Sequence, residues 1–319
     1  MRDVVVIGGG LSGLSACYEL EKRHVPYTVI EVKRRFGGGI RSSFEGGFIM
    51  DACAFAFRPI ADDALLADLG LKGRMIQISG EACVFAEGTE ALICALAYRL
   101  RGGRLMRMAV SSVGRLRNRF TICLENGIML DAGALILALP ARYAARMFWN
   151  LAPAAAECLA GFRYDSIRRV SLGYHKRDLP LRIDSDLDEI FPFIITTDQA
   201  GRVPDQDHRL IQVGLRSSDD MSTDEAIRAV TRHLGWRASP LVARVDYWSE
   251  ADLQEDYGAA HSDNVRAIHE LLPAGLSLIG SDYCRDAPSS DGVARLDERI
   301  QAGRRAARDA VEFLKARKR

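Results

Sequence analysis

The chain has 319 residues, 48% hydrophobic and 27% charged, with a formal net charge of +1. That balance describes an ordinary globular chain long enough for two interleaved domains, and it offers no electrostatic case for nucleic acid or an anionic membrane surface. Cys17, Cys53, Cys83, Cys94, Cys123, Cys158 and Cys284 are scattered without Cys-x-x-Cys spacing, so free thiols are expected and a metal site is not. No apolar stretch is long enough to span a bilayer, and the first strand begins too near Met1 to leave room for a signal peptide. A cytoplasmic location is expected.

Residues 4–7 are a short apolar run rich in β-branched side chains, the mark of a buried strand. Gly8-Gly9-Gly10-Leu11-Ser12-Gly13 follows, then an amphipathic segment over residues 14–23 and a second strand over residues 27–31. In this Gly-x-Gly-x-x-Gly turn Gly8 permits the tight bend, Gly10 lets backbone approach a pyrophosphate, and Gly13 lets the helix pack on the strand. The free amides of Leu11 and Ser12 at the helix start attract phosphates. Glu31 stands 23 residues after Gly8, with Val32 beside it, where an acid accepts hydrogen bonds from a ribose. An acid there repels a 2′-phosphate, so FAD or NAD is expected rather than NADP.

A second glycine cluster, Arg35-x-Gly37-Gly38-x-x-Arg41-Ser42, precedes Gly47-Phe48-x-x-Asp51. It resembles the Arg-x-Gly-Gly-Arg signature of the flavin amine oxidase and protoporphyrinogen oxidase superfamily. The resemblance implies non-covalent FAD, with Gly38, Gly39 and Ile40 wrapping its pyrophosphate. Gly39 stands where that family usually has Arg or Lys, leaving Arg35 or Arg41 to supply the charge. The implied fold is α/β: a Rossmann-like FAD/NAD(P)-binding domain (1–59, 84–142 and 272–319), interleaved with a mixed α+β substrate domain on an antiparallel sheet (60–83 and 143–271).

Further along, residues 62–69 form a short helix closed by Gly70. Only about two dozen residues separate Pro59 from Val84, so the resemblance implies a reduced substrate lid. Gly88-Thr89-Glu90 opens a helix over 91–100. Short strands at 105–110, 112–116, 120–124 and 128–130, the last after the Asn126-Gly127 turn, resemble the family's β-meander, in which the backbone of Val110 would hold the adenine. A buried strand at 134–140 and two short helices follow.

Residues 164–174 resemble the family strand Tyr-x-Ser-x-x-x-Val-x-Leu-Gly-Tyr that crosses the flavin. Strands at 191–196, 210–215 and 241–248 join it in one antiparallel sheet, and Ser222-x-x-Glu225 is a capping box opening a helix to Leu234. Tyr257-Gly258-x-x-His261 and a helix over 265–271 return the chain to the nucleotide domain. The strand from Leu276 ends at Gly280 and Asp282, which the resemblance sets toward the ribityl and phosphate groups. The start of the last helix would face the flavin ring, where its dipole favours the anion of reduced flavin. Residues 284–294, with Pro288 and Ser289, depart from the family, and the basic run from Lys315 suits a helix C-terminus.

The place of the family's lysine near the flavin falls on Arg169, the candidate catalytic residue. Arginine stays charged, so it would bind an anionic group or reduced flavin rather than act as a tunable base, and amine oxidation is disfavoured. Alternatively, Arg168 and Arg169 alternate between solvent and an ion pair. His175 reads as a surface residue, Tyr174 and Trp248 as core, and Cys284 as unsuited to covalent flavin attachment. The expected function is an FAD-dependent oxidoreductase passing hydride from an unidentified small molecule to flavin N5. Two other readings stay open. One is a flavin-dependent isomerase or mutase on an anionic sugar-type substrate held by Arg163, Arg168, Arg169, Arg177 and Arg182. The other is a flavin-binding subunit completed by a second copy or a partner chain, which an exposed apolar patch at Phe55, Phe57 and Pro59 would favour.

Overall fold

The computed structural model describes residues 2–180, 187–253, 259–284 and 292–317. Arg182, Tyr257-Gly258, Pro288, Ser289 and the terminal Lys318 and Arg319 lie outside them. Strand β1 (Arg2–Ile7), helix α1 (Leu11–Lys22) and strand β2 (Tyr27–Glu31) form a parallel βαβ unit with Val4 opposite Tyr27. A hairpin, β3 (Ser42–Glu45) and β4 (Phe48–Asp51), turns at Gly46 and Gly47, both in the left-handed region. Strand β5 (Ala56–Phe57), helix α2 (Asp63–Asp68) and strands β6 (Met75–Ser79) and β7 (Ala82–Phe85) follow. Asp62 caps α2 by accepting from the Leu65 amide at 2.8 Å, and Gly70 ends it at φ 72°.

Helix α3 (Glu90–Arg99) leads to β8 (Gly103–Met106), then β9 (Val110–Leu116), β10 (Arg119–Leu124) and β11 (Met129–Leu137). These complete a sheet of order β8-β2-β1-β11-β10-β9. Two of the expected strands are one: β11 runs unbroken from 129 to 137. Its first half pairs antiparallel with β10 and its second half parallel with β1. Asp131, between the two expected strands, is exposed at an alternating position of the continuous strand. The strand expected at 105–110 splits likewise. β8 pairs in parallel with β2, outside the meander, and Arg107 at φ 55° turns the chain before Val110.

Alternate residues of β1 enter different cores. Val4 and Val6 face α1, α3 and the last helix, while Val5 and Ile7 face the other layer, so both faces of the sheet are covered. That second layer holds α4 (Ala141–Phe148), α5 (Pro153–Ala160) and α7 (Ala259–Leu271). Strand β12 (Tyr164–His175) then crosses into the second sheet, ordered β13-β14-β12-β15, with β13 (Ile194–Thr197), β14 (His208–Leu215) and β15 (Val242–Leu253), all antiparallel. Helix α6 (Thr223–His233) covers one face through Ala226 and Val230, opened by the expected Ser222–Glu225 capping box. The chain returns through β16 (Leu276–Leu278), parallel to β11, and β17 (Val293–Ala294) to helix α8 (Leu296–Ala316). α8 lies hard against α1, where a Cβ on Gly303 would sit 2.2 Å from the Ser12 carbonyl oxygen.

Candidate functional site

The first glycine turn is built by close approach. Gly8 has φ 101°, and a Cβ there would come within 2.3 Å of the Ala138 carbonyl oxygen; one on Gly13 would come within 2.0 Å of the Gly8 carbonyl oxygen. Gly10 differs, because a Cβ there would meet no protein atom within 4 Å. It would enter the cavity that Gly10 lines. Gly38, at φ 61°, lies against the Gly10 Cα, so the two glycine loops form one backbone cradle. α1 starts with no side-chain cap and no acid in its first turn. Its amides and positive end are available to an anion.

Glu31 is buried at the end of β2, where Oε2 accepts from the Gly9 amide at 2.7 Å and Oε1 from the Lys33 amide at 2.8 Å. Each oxygen can accept once more, so the acid is oriented without being exhausted. The cavity beside it has a volume of about 980 Å³, near the upper end of the range for small-molecule sites. Of the sequence candidates, Gly8, Gly10, Glu31, Val32, Gly38, Gly39, Val110, Arg169 and Asp282 line it. Leu11, Ser12, Gly13 and Ile40 are buried behind it, and Gly280 turns the chain at φ 149° beneath it.

Neither Arg35 nor Arg41 lines the cavity. Arg35 staples its own loop, with Nη1 donating to the carbonyls of Phe36 (2.9 Å) and Ile40 (3.0 Å) and Nη2 to that of Gly38 (3.0 Å). Arg41 donates to Asp246 Oδ1 at 2.8 Å. Asp282 reaches the cavity but also serves as the cap that Pro140 cannot provide for α4. Its Oδ2 accepts from the Ala141 amide at 2.8 Å and from the Tyr164 hydroxyl at 2.5 Å. Burial, then the charge of Asp282, pushes the Tyr164 hydroxyl well above its ordinary pKa, so it remains a donor.

On β12 the pleat separates the two arginines. Arg168 turns toward α6, buried, and donates to Ser217 Oγ and to the carbonyls of Ser218, Asp219 and Met221. Arg169 turns into the cavity over the Phe55 ring, with Nη1 3.5 Å from the Ala52 carbonyl oxygen. Trp248 donates to the same oxygen at 2.9 Å and lines the cavity, which corrects its reading as core; Tyr174 is fully buried as expected. Phe55 and Phe57 are 2% and 0% exposed, so they form no open patch for a partner. Arg216 also lines the cavity, and sequence reasoning missed it. The alternation from Gly214 was the available signal. Cys284 reaches the lining with its thiol pushed up to about 11 by burial, so it stays protonated.

Residues 6–69 match the NAD(P)-binding Rossmann-like domain family. Protoporphyrinogen oxidase 2 of Arabidopsis thaliana is 41% identical over 73 residues, which is 22% of this chain and 14% of that protein. Coproporphyrinogen III oxidase of Mycobacterium bovis is 39% identical over 84 residues, 25% of this chain and 19% of that one. The chain thus matches these curated relatives over less than a quarter of their own length. Putrescine oxidase bound to putrescine superposes with a TM-score of 0.73 at 14% identity, covering 98% of this chain and 99% of that one. The architecture is a Rossmann-like unit joined through β12 to a second, antiparallel sheet. More narrowly, the chain shares the fold of putrescine oxidase and matches protoporphyrinogen and coproporphyrinogen oxidases over a short stretch.

Proposed function

We infer that this protein is an FAD-dependent oxidoreductase acting on a small organic molecule. The observation that carries the reading is the single cavity that runs from the glycine cradle and Glu31 to the substrate-sheet residues Arg169 and Trp248. Non-covalent FAD would be held by the cradle of Gly10 and Gly38, by α1's amides, by Glu31 at the ribose and by the Val110 backbone. Bound there, it supplies the acceptor for a hydride. Relatives named as oxidases of porphyrinogens and of putrescine support this class of chemistry.

The chain's own residues do three things. Trp248 and Phe193 line the cavity and exclude water from the reacting bond. Arg295 at the start of α8 is paired with Glu298 at 3.1 Å, which leaves Arg299 and the dipole end of that helix to favour a reduced, anionic cofactor. Arg169 contacts the substrate. All seven cysteines are free, which suits the cytoplasm, and no helix among the described residues is long and apolar enough to cross a membrane.

The test is anaerobic. The purified protein should carry flavin and lose its long-wavelength absorbance when an organic substrate is added from a panel of amines, porphyrinogens and sugar nucleotides. A protein that neither purifies with flavin nor takes up added FAD would sink the reading. Bleaching by NAD(P)H alone would shift it to the isomerase or mutase class.

A further inference from the structure

The antiparallel sheet sets two guanidinium groups, Arg169 and Arg216, on the cavity wall, and neither has a carboxylate partner among the described residues. Arg169 lies opposite Gly214 on β14, so Arg216, two residues on, follows it on the same face. Diagonal neighbours of this kind are about 7–8 Å apart, close enough for two long side chains to meet one ligand. Both line the cavity.

On its other flank Arg169 lies opposite Asp246 of β15, the residue placed to neutralise it. That carboxylate is already engaged. Its Oδ1 accepts from Arg41 Nη2 at 2.8 Å and Arg244 Nη2 at 2.9 Å, and its Oδ2 accepts from Arg244 Nε at 2.8 Å. Two other acids of the lining are engaged as well, Asp282 by Tyr164 and Ala141, and Glu298 by Arg295 at 3.1 Å. Arg169 therefore has no ion pair among the described residues. The buried Nε of Arg216 has no hydrogen-bond partner among the described residues.

A charge in a recessed wall is costly unless something neutralises it. Beside these arginines the wall is aromatic. Phe193 packs on Gly214 so closely that a Cβ there would lie 2.6 Å from the ring, and Trp248 is pinned through Ala52. We propose that Arg169 and Arg216 bind the anionic group of the substrate, a carboxylate or a phosphate ester, while Phe193 and Trp248 hold its flat apolar body. A cationic amine is excluded from this end of the cavity. The assignment deepens the oxidoreductase reading and relies on it only for what happens to the molecule once bound.

Calorimetric titration of the purified protein, with its flavin content recorded, tests the assignment. The probes are phenylacetate, phenyl phosphate, phenylacetamide and phenethylamine. At least one anion should bind about ten-fold or more tightly than the amide, with the amine weakest, since a charge-assisted bidentate pair is worth that much. Which anion wins separates carboxylate from phosphate. R169Q and R216Q should each weaken the anion about ten-fold and leave the amide unchanged, with R169K intermediate. Raising the salt concentration on the unaltered protein should weaken the anion alone, a readout that does not depend on any variant folding. Equal binding of anion and amide, or anion affinity indifferent to salt and to both substitutions, would overturn the proposal. Flavin-free protein that keeps the arginine-dependent preference leaves this inference standing and removes the FAD reading; flavin-loaded protein with no preference does the reverse.

Discussion

Arg202 Nη2 and Asp51 Oδ2 meet at 2.7 Å with neither side chain exposed. Arg202 comes from the loop before β14 and Asp51 ends β4, so the pair joins the connection of the antiparallel sheet to the β3–β4 hairpin. Asp51 also accepts from Ser42 Oγ at 2.5 Å and from the Thr89 amide at 3.0 Å, and Arg202 Nη1 donates to the Phe85 carbonyl. A buried pair of this kind is worth little against an apolar replacement but is costly to break on one side. R202M should lower unfolding free energy by about 3–5 kcal/mol, and D51N/R202M should recover part of the loss. Urea unfolding of the two variants decides it.

Gly10 and Gly13 belong to one motif but should fail differently. G10A adds a methyl that touches no protein atom, so stability should change by less than about 1 kcal/mol while flavin occupancy collapses. G13A drives its methyl into the Gly8 carbonyl oxygen, 2.0 Å away, and should destabilise by roughly 1–3 kcal/mol before any cofactor is considered. Thermal melts with and without added FAD separate the two effects.

Y164F removes the hydroxyl that donates to Asp282 Oδ2 at 2.5 Å. A hydrogen bond to a charged acceptor contributes about 1.5–3 kcal/mol, and its loss should appear in the melting temperature with the α4 cap loosened. Unchanged stability would mean that the Ala141 amide, with the Ser281 hydroxyl on Oδ1, satisfies the carboxylate without Tyr164.

Asp198 is held below its ordinary pKa of 3.8, first by the hydrogen bond from Lys176 and then by that from Arg209, at 2.9 and 3.2 Å. A depressed carboxylate contributes stability above its unfolded pKa and loses it as the pH falls through its folded one. Unfolding free energy should therefore fall below about pH 4, and D198N should flatten that fall by less than about 1 kcal/mol, because the pair is partly solvated. Acid titration of both proteins measures the difference.

Several elements in both halves of the chain were legible from short-range signals. The first βαβ unit, the capping box at Ser222 and the turn at Gly70 all stand where the residues indicate, because periodicity, cap chemistry and positive φ are set within a few neighbouring positions. Glu31 was equally legible, being fixed by the length of one helix.

What the chain order could not reveal was where side chains point once distant strands pair. Arg168 and Arg169 are adjacent in sequence and opposite in role, since the register of β12 with β14 and β15 chooses which of them faces the cavity. Trp248 was read as core, and became lining because that same register sets it opposite Ile167, next to the bulge after Asp165. Arg35 carries a family motif yet serves its own loop, while Arg216, without one, reaches the cavity. The sequence by itself determined the elements and the cradle, whose causes are local; only the tertiary structure decided which charges stand unpaired around the cavity, because each depends on partners many residues away.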